Sequence, residues 1–478
     1  MNEQSLFERF NVSPLLNSLA DRIAMSETQK NPFQIFLQHL NGSTPAFVLQ
    51  TIFTHEKTNQ WNHIVVLNDA EEAAYFFNSI ESVTEAMDLF YFPSSFKTPH
   101  NFNFLNPSHV MLRTEALTKI SMGGNKKIIV TYPEALFEKV ILPKTLQKNI
   151  IQIKTNDSID LNAMMQQFID YGFERTDFVY EPGQFALRGG IFDIYSFGNE
   201  KPYRIELFGE EVDSIRLFDP ATQLSERKLL QVNIIPNVTT QFEDTEQIPL
   251  IEFMNSNTIL WVKDWNVIKQ RGMDQWESLN DFLTHTANNK PIELGDAHIK
   301  HTQLDDFDTV ENAEASLLNS TIIEWGFQTN IAKEVISFNT QVQPSFNRQF
   351  QLLIANLQEL EKKGYALFIF AEQAKQLERL HAIFTDLKTE IQFTPVVKNI
   401  HEGFIDHDHK IVCYTDHQIF QRYHKYKVKQ AYSKSKAITL RTLRDMQPGD
   451  YVTHIDHGVG VYSGLQKIDV NGLMQEAV

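Results

Sequence analysis

The chain has 478 residues, of which 42% are apolar, 12% aromatic and 22% charged, the make-up of folded domains rather than of a disordered polymer. At roughly 100–200 residues per domain, three to five domains are expected, each able to bury a core. The net charge is −17, yet residues 417–444 hold eight Lys/Arg and no Asp/Glu, leaving 35 basic against 60 acidic side chains elsewhere, so most of the surface is excluded as a duplex-DNA binder.

Further classes fall away on pattern. No run of about 18 apolar residues is present to cross a membrane as a helix. Met1-Asn2-Glu3-Gln4-Ser5 shows no basic-then-apolar secretion signal, so a cytoplasmic location is expected. Cys413 is the single cysteine, which excludes an internal disulfide framework and a CxxC zinc site.

From the N-terminus, apolar runs at 46–49, 63–67, 89–92, 127–131 and 150–153 read as strands, with helical runs at 70–80 and 108–120 between them. This alternation predicts an α/β unit on a largely parallel sheet. A helix at 159–171 leads into a different texture. Residues 184–188 set Phe185 and Leu187 on one face and Ala186 and Arg188 on the other, and Gly189-Gly190 turns the chain into a strand at 191–195. Residues 203–208 alternate again, with Tyr203, Ile205 and Leu207 opposite Arg204 and Glu206. Gly209-Glu210 then turns into a strand at 212–218. This predicts an antiparallel β-rich inset.

Strands at 232–235 and 258–262, a helix at 265–283 and an acidic stretch at 305–314 predict a return to the first unit's core. A second α/β unit follows, with helices at 346–363 and 373–385 and strands at 366–370, 392–397 and 410–414. The last of these holds Cys413 as a buried strand cysteine. Pro448-Gly449-Asp450 opens another β-patterned stretch, which is expected to stop in mid-domain at 478.

Catalytic constellations are not found: no Gly-Lys-Ser/Thr, no Asp-Glu-x-His/Asp, no Gly-x-Ser-x-Gly elbow and no HExxH. The nearest phosphate-loop candidate, Asn41-Gly42-Ser43-Thr44-Pro45-Ala46, has one glycine and no lysine, and Pro45 removes an N–H donor. ATP hydrolysis by this segment is not expected. His401, His407 and His409 with Asp406 and Asp408, and His454 and His457 around Asp456, lack helical ligand spacing, so no metal is expected. The basic segment interleaves Arg422, Lys425, Lys427, Lys429, Lys434 and Lys436 with Tyr423, Tyr426 and Tyr432. It reads either as a solvated linker or as a linker with nucleic-acid contacts, since cations neutralise phosphates and aromatics stack on bases.

The run from Glu181 to Tyr195, EPGQFALRGGIFDIY, and its continuation from Pro202 to Asp219-Pro220 through IELFGEEVDSIRLF, strongly resemble the inset shared by the excision-repair protein UvrB and the transcription-repair coupling factors. The Asn41–Ala46 turn lacks a working P-loop, as the coupling factors do and UvrB does not. The run from Gly449 to Tyr462, GDYVTHIDHGVGVY, resembles the opening of the coupling factors' RNA-polymerase-interacting domain, and Thr415-Asp416-His417-Gln418-Ile419-Phe420 is also similar to that family.

The resemblance implies a multidomain α/β chain, which is expected to be the family's N-terminal part. Residues 1–155 would be a degenerate P-loop-like domain, 156–235 the UvrA-interaction inset and 236–345 the return to the first domain. Residues 346–416 would be a small α/β domain, 417–447 a basic linker and 448–478 the start of a small β-barrel-like polymerase-interacting domain. The implied partners are UvrA and the RNA polymerase β subunit. DNA, ATP and Mg would belong to a translocase motor beyond residue 478, and a monomer without cofactor or membrane contact is expected.

Arg175, Arg188, Arg204 and Glu206, with Phe192 less directly, fall where the UvrB-type inset meets UvrA. Arg175, Arg188, Arg204 and Glu206 also read as local salt bridges across the inset sheet, and Asp193 as bonded to local backbone. The competing readings are a UvrB-like helicase fragment and a DNA-binding module built on 417–444.

Overall fold

The computed structural model describes residues 3–29, 32–86, 88–124, 126–240, 245–254, 257–287, 300–327, 334–426, 451–454, 458–461, 466–470 and 473–477. Its first body is a seven-stranded sheet in the order Glu334–Ser337, Gln34–Gln38, Thr321–Trp325, Thr258–Lys263, Asn62–Val66, Ile128–Thr131, Leu89–Tyr91. Every neighbouring pair is parallel. The inner strands of such a sheet are covered on both faces and are buried rather than alternating, while the edge strand Glu334–Ser337 is largely exposed. Ile64, Val65, Ile128, Ile129, Val130 and Ile259 are all buried in one core. Helices Thr44–Thr54, Ala70–Val83 and Pro107–Ser121 contribute Phe47, Ile52, Phe77, Met111 and Leu117 to that core. Asp69 and Asn106 cap two of these helices, each accepting from backbone N–H groups of the first turn.

The run at 46–49, expected as a strand, is part of helix Thr44–Thr54. Ala46, Phe47, Val48 and Leu49 are each at most 1% exposed, so burial on all sides erased the periodicity that separates helix from strand. Pro45 in the first turn favours the helical start. The strand of this unit is the preceding Gln34–Gln38. The run at 150–153 likewise stays out of the parallel sheet: Ile151–Lys154 pairs antiparallel with Gln231–Ile234.

Between those two strands lies the inset. Its six-stranded sheet runs Ser225–Leu229, Glu211–Phe218, Tyr203–Phe208, Ile191–Ile194, Gln184–Arg188, Glu174–Arg175. All pairs are antiparallel except the last. One face packs Phe185, Phe192, Ile194, Tyr203, Ile205 and Ile215 against Met164 and Phe168 of helix Leu161–Asp170. The same core takes in Phe96, Phe102, Leu279 and Phe307, which fixes the inset on the first body.

The second unit is a five-stranded sheet, Thr340–Val342, Phe404–Asp406, Ile411–Thr415, Ala366–Phe370, Thr394–Val396. Leu353 and Leu357 of helix Phe350–Lys362, with Leu377 and Leu380 of helix Ala374–Asp386, cover one face. The other face turns Phe368, Phe370, Phe404 and Cys413 into the first body's core, where Phe404 meets Phe47 at 5.3 Å between ring centroids. Cys413 is fully buried, and burial pushes its thiol pKa well up, so it is a packing residue. The described C-terminal pieces are two antiparallel hairpins, Tyr451–His454 with Gly458–Val461 and Gln466–Val470 with Leu473–Ala477.

Candidate interaction surface on the inset

Gly189 and Gly190 make a two-residue turn that fixes the register of the inset. Gly189 sits at φ +62, and a Cβ on Gly190 would lie 2.8 Å from the Leu207 carbonyl oxygen. Arg188 therefore pairs with Ile191, Ala186 with Asp193, and Asp193 with Arg204. The row continues through Arg216 to Lys228.

Asp193 sits at the centre of this outer face with its side chain only 1% exposed. Arg204 grips it with two bonds, Nε to Oδ1 at 2.8 Å and Nη2 to Oδ2 at 2.9 Å. The Arg204 Nη1 group donates to the Gln223 carbonyl at 3.0 Å, and its guanidinium lies 4.5 Å from the Phe218 ring centroid. Arg188 donates from Nη2 to Asp193 Oδ2 at 2.5 Å and from Nη1 to the Asp177 carbonyl at 2.8 Å, and packs on Phe178 at 4.4 Å. Hydrogen bonding to Asp193 raises the Arg204 pKa further. Glu206 accepts from Ser214 Oγ at 2.5 Å and from Arg216 Nη2 at 3.2 Å.

Two guanidiniums thus share one carboxylate, which leaves the pocket positive, with Arg188 33% and Arg204 13% exposed. Two exposed aromatic rings accompany it: Phe178, against Arg188, is 48% exposed, and Phe208, two positions beyond Glu206 on its strand, is 85% exposed. Strand Tyr203–Phe208 alternates without interruption, so Phe208 stands in step with Arg204 and Glu206. The irregular step is on the facing strand, where pairing moves from Ser214 to Val212. Planar, preorganised cations beside exposed aromatic rings are the side-chain types that anchor protein interfaces.

Arg188, Arg204 and Glu206 are therefore brought together on one face, and each is also an in-sheet ion-pair partner. Arg175 is exposed on the edge strand, paired with Phe185. Phe192 must be corrected. Its alternation with Asp193 turns it inward, where it is fully buried and stacks on Phe168 at 5.6 Å, out of a partner's reach. Asp193 also differs from expectation: its partners are the two guanidiniums, not local backbone. Sequence reading missed Phe178, Phe208 and Arg216. The signal for Phe208 and Arg216 was the same alternation that placed Arg204.

At the Asn41–Ala46 turn, the second unit occupies the ground a phosphate would need. Asn41 N donates to Thr340 Oγ1 at 2.9 Å, and Ser43 N to the Glu402 carbonyl at 3.1 Å, while Ser43 Oγ accepts from Glu402 N at 3.0 Å. Gly42 sits at φ +58, with the Gly403 carbonyl oxygen 2.7 Å from where a Cβ would be.

Of the basic segment, Arg422 pairs with Asp416 and Lys425 is exposed. Lys427, Lys429, Lys434 and Lys436 lie outside the described residues. His409 pairs with Asp406 at 2.7 Å and His407 Nδ1 with the Tyr365 hydroxyl at 2.6 Å. Asp456 and His457 lie outside the described residues. Among the described residues, no group of three or more His, Cys, Asp or Glu is arranged to hold a metal, and no helix is long and apolar enough to cross a membrane.

Residues 151–239 match the family model of the UvrB interaction domain, and residues 446–478 that of the CarD-like/TRCF RID domain. The chain is similar to the transcription-repair-coupling factor of Bacillus subtilis (strain 168), 23% identical over 92% of this chain and 43% of the relative. It is also similar to those of Staphylococcus epidermidis (strain ATCC 12228), 24% identical over 85% and 40%, and Staphylococcus aureus (strain Mu50), 23% identical over 90% and 42%. The resemblance to coupling factors thus runs along most of the chain, which spans about two fifths of the length of these relatives.

Proposed function

We propose that this chain is a recruitment region of a bacterial transcription-repair coupling factor, whose inset captures UvrA when a lesion stalls RNA polymerase. The observation that carries this reading is the outer face of the inset. There a buried carboxylate fixes two arginines in a positive fork edged by exposed Phe178 and Phe208. The UvrB interaction domain match covers the same residues. The chemistry calls for a partner surface with carboxylates opposite Arg188 and Arg204 and an apolar recess for Phe208.

The CarD-like/TRCF RID match supports a second contact, to the RNA polymerase β subunit. ATP-driven translocation along DNA would belong to the rest of such a protein, in the cytoplasm. This segment would do no ATP chemistry, because its phosphate turn is filled by Thr340 and Glu402. That filling also disfavours the UvrB-like helicase reading.

The test is binding of the chain to purified UvrA, beside the Arg188→Ala/Arg204→Ala variant. Binding weakened by about 2 kcal/mol or more, at a temperature where both chains are fully folded, supports the interface. Unchanged binding moves the interface elsewhere, and no binding by the unmodified chain removes the recruitment reading.

A further inference from the structure

A group of three imidazoles lies where the two α/β units meet and the chain leaves the second. His401 precedes strand Phe404–Asp406, His417 lies in the short helix Asp416–Ile419, and His424 follows it. Helix Ala70–Val83 of the first unit supplies Tyr75, whose ring stacks on His401 at 3.8 Å and His424 at 5.5 Å. The Tyr75 hydroxyl donates to the His424 carbonyl at 2.7 Å. The His417 and His424 rings lie 4.3 Å apart and 9° from parallel. From the same helix, Ser79 Oγ accepts from His401 N at 3.0 Å and Ser82 Oγ from Asn399 N at 2.7 Å.

The hydrogen bonds assign the protons. Asn399 Oδ1 can only accept, so His424 Nε2, 2.7 Å away, carries a hydrogen. Neutral His424 then has Nδ1 as an acceptor, and His401 Nδ1 donates to it at 3.2 Å. His417 Nε2 donates to the His401 carbonyl at 2.8 Å. The His401–His424 bond needs one bare Nδ1, so this pair can take up at most one proton without breaking it. Protons on both would set two N–H groups against each other, and charges on both His417 and His424 would stand face to face with the rings 4.3 Å apart.

Charges around the cluster do not rescue a cation. Lys263 faces His401, and Arg422 faces His417, both disfavouring charge. Glu372 faces His424 and opposes this, without reversing it. Glu71, Tyr423 and Tyr426 surround Tyr75, Asp416 is taken by Arg422, and Glu72 by Lys263. Burial first, then the adjacent imidazole, pushes His401 and His417 each down to about 4.

We propose that this cluster is a proton-sensitive latch, holding residues 420–426 and the 399–403 loop against helix Ala70–Val83 only while its imidazoles are neutral. The sign follows from linkage. Groups whose pKa falls on closing favour the closed form above the ordinary value of about 6.5, and this preference is lost as pH drops from there towards 4. At pH 5.5, His401 and His417 would each shift the balance towards opening by roughly tenfold.

Hydrogen exchange of the full chain at pH 7.5 and 5.5, corrected for intrinsic rates, tests this. Peptides covering 397–403 and 416–424 should lose tenfold or more protection at pH 5.5, while a peptide covering 258–263 in the parallel sheet keeps its own. The His401→Phe/His417→Phe/His424→Phe variant keeps the ring stack without the protons, and should show no such difference. Equal protection of the unmodified chain at both pH values, or the same loss in the variant, overturns the latch. Ring-proton titration of the unmodified chain needs no variant: midpoints well below 6 support it, and midpoints near 6.5 overturn it.

Discussion

Asp193 holds one negative charge against two guanidiniums, and it is the most buried member of the group. Removing it takes from Arg204, which is only 13% exposed, the carboxylate it pairs with and leaves only the more distant charge of Glu206. Asp193→Ala is expected to cost about 3 kcal/mol in chemical denaturation, the low end for broken buried pairs because Arg188 still reaches water. Phe208 is the opposite case. At 85% exposure, Phe208→Ser should change folding stability by no more than about 0.5 kcal/mol. The same variant should weaken UvrA binding by at least about 1 kcal/mol in calorimetry. Unaltered affinity would take Phe208 out of the interface. Much of this was legible: alternation along 203–208 put Arg204 and Glu206 on one side, and the Gly189-Gly190 turn carried the register that sets Asp193 beside Arg204. Phe192 was misjudged because similarity to an interface stretch says nothing of facing direction, whereas alternation with Asp193 does.

Elements were readable in proportion to how unevenly they are buried. Inset strands with a packed and an open face show their period. Helix Thr44–Thr54 does not, because its residues 44–49 are buried all round. The occupied turn before that helix was not readable either, since its partners, Thr340 and Glu402, are about 300 residues or more away in the chain. Gly42 is the sharpest probe of this junction. A side chain there meets both a left-handed backbone and the Gly403 carbonyl oxygen, so Gly42→Ala should cost about 2 kcal/mol or more in urea unfolding. If the variant were as stable as the parent, the two units would not be seated on each other at this point.

Across the whole molecule, the α/β character and the inset were legible from local runs, but the strand order was not. Strands Thr321–Trp325 and Thr258–Lys263 stand between Gln34–Gln38 and Asn62–Val66, so the sheet is finished by segments that follow the inset. Pairings at such separation leave no local trace in the sequence. They do impose an order on synthesis. Strand Gln34–Gln38 has only Thr321–Trp325 and Glu334–Ser337 as neighbours, so its buried Ile35, Phe36 and Leu37 wait without a partner strand until the ribosome has passed residue 325. The inset, whose strands all fall within 174–229, can close its sheet while the body that carries it is still half made. A nascent chain stalled soon after the inset emerges should thus resist protease across the inset and be cut freely in the strands made before it.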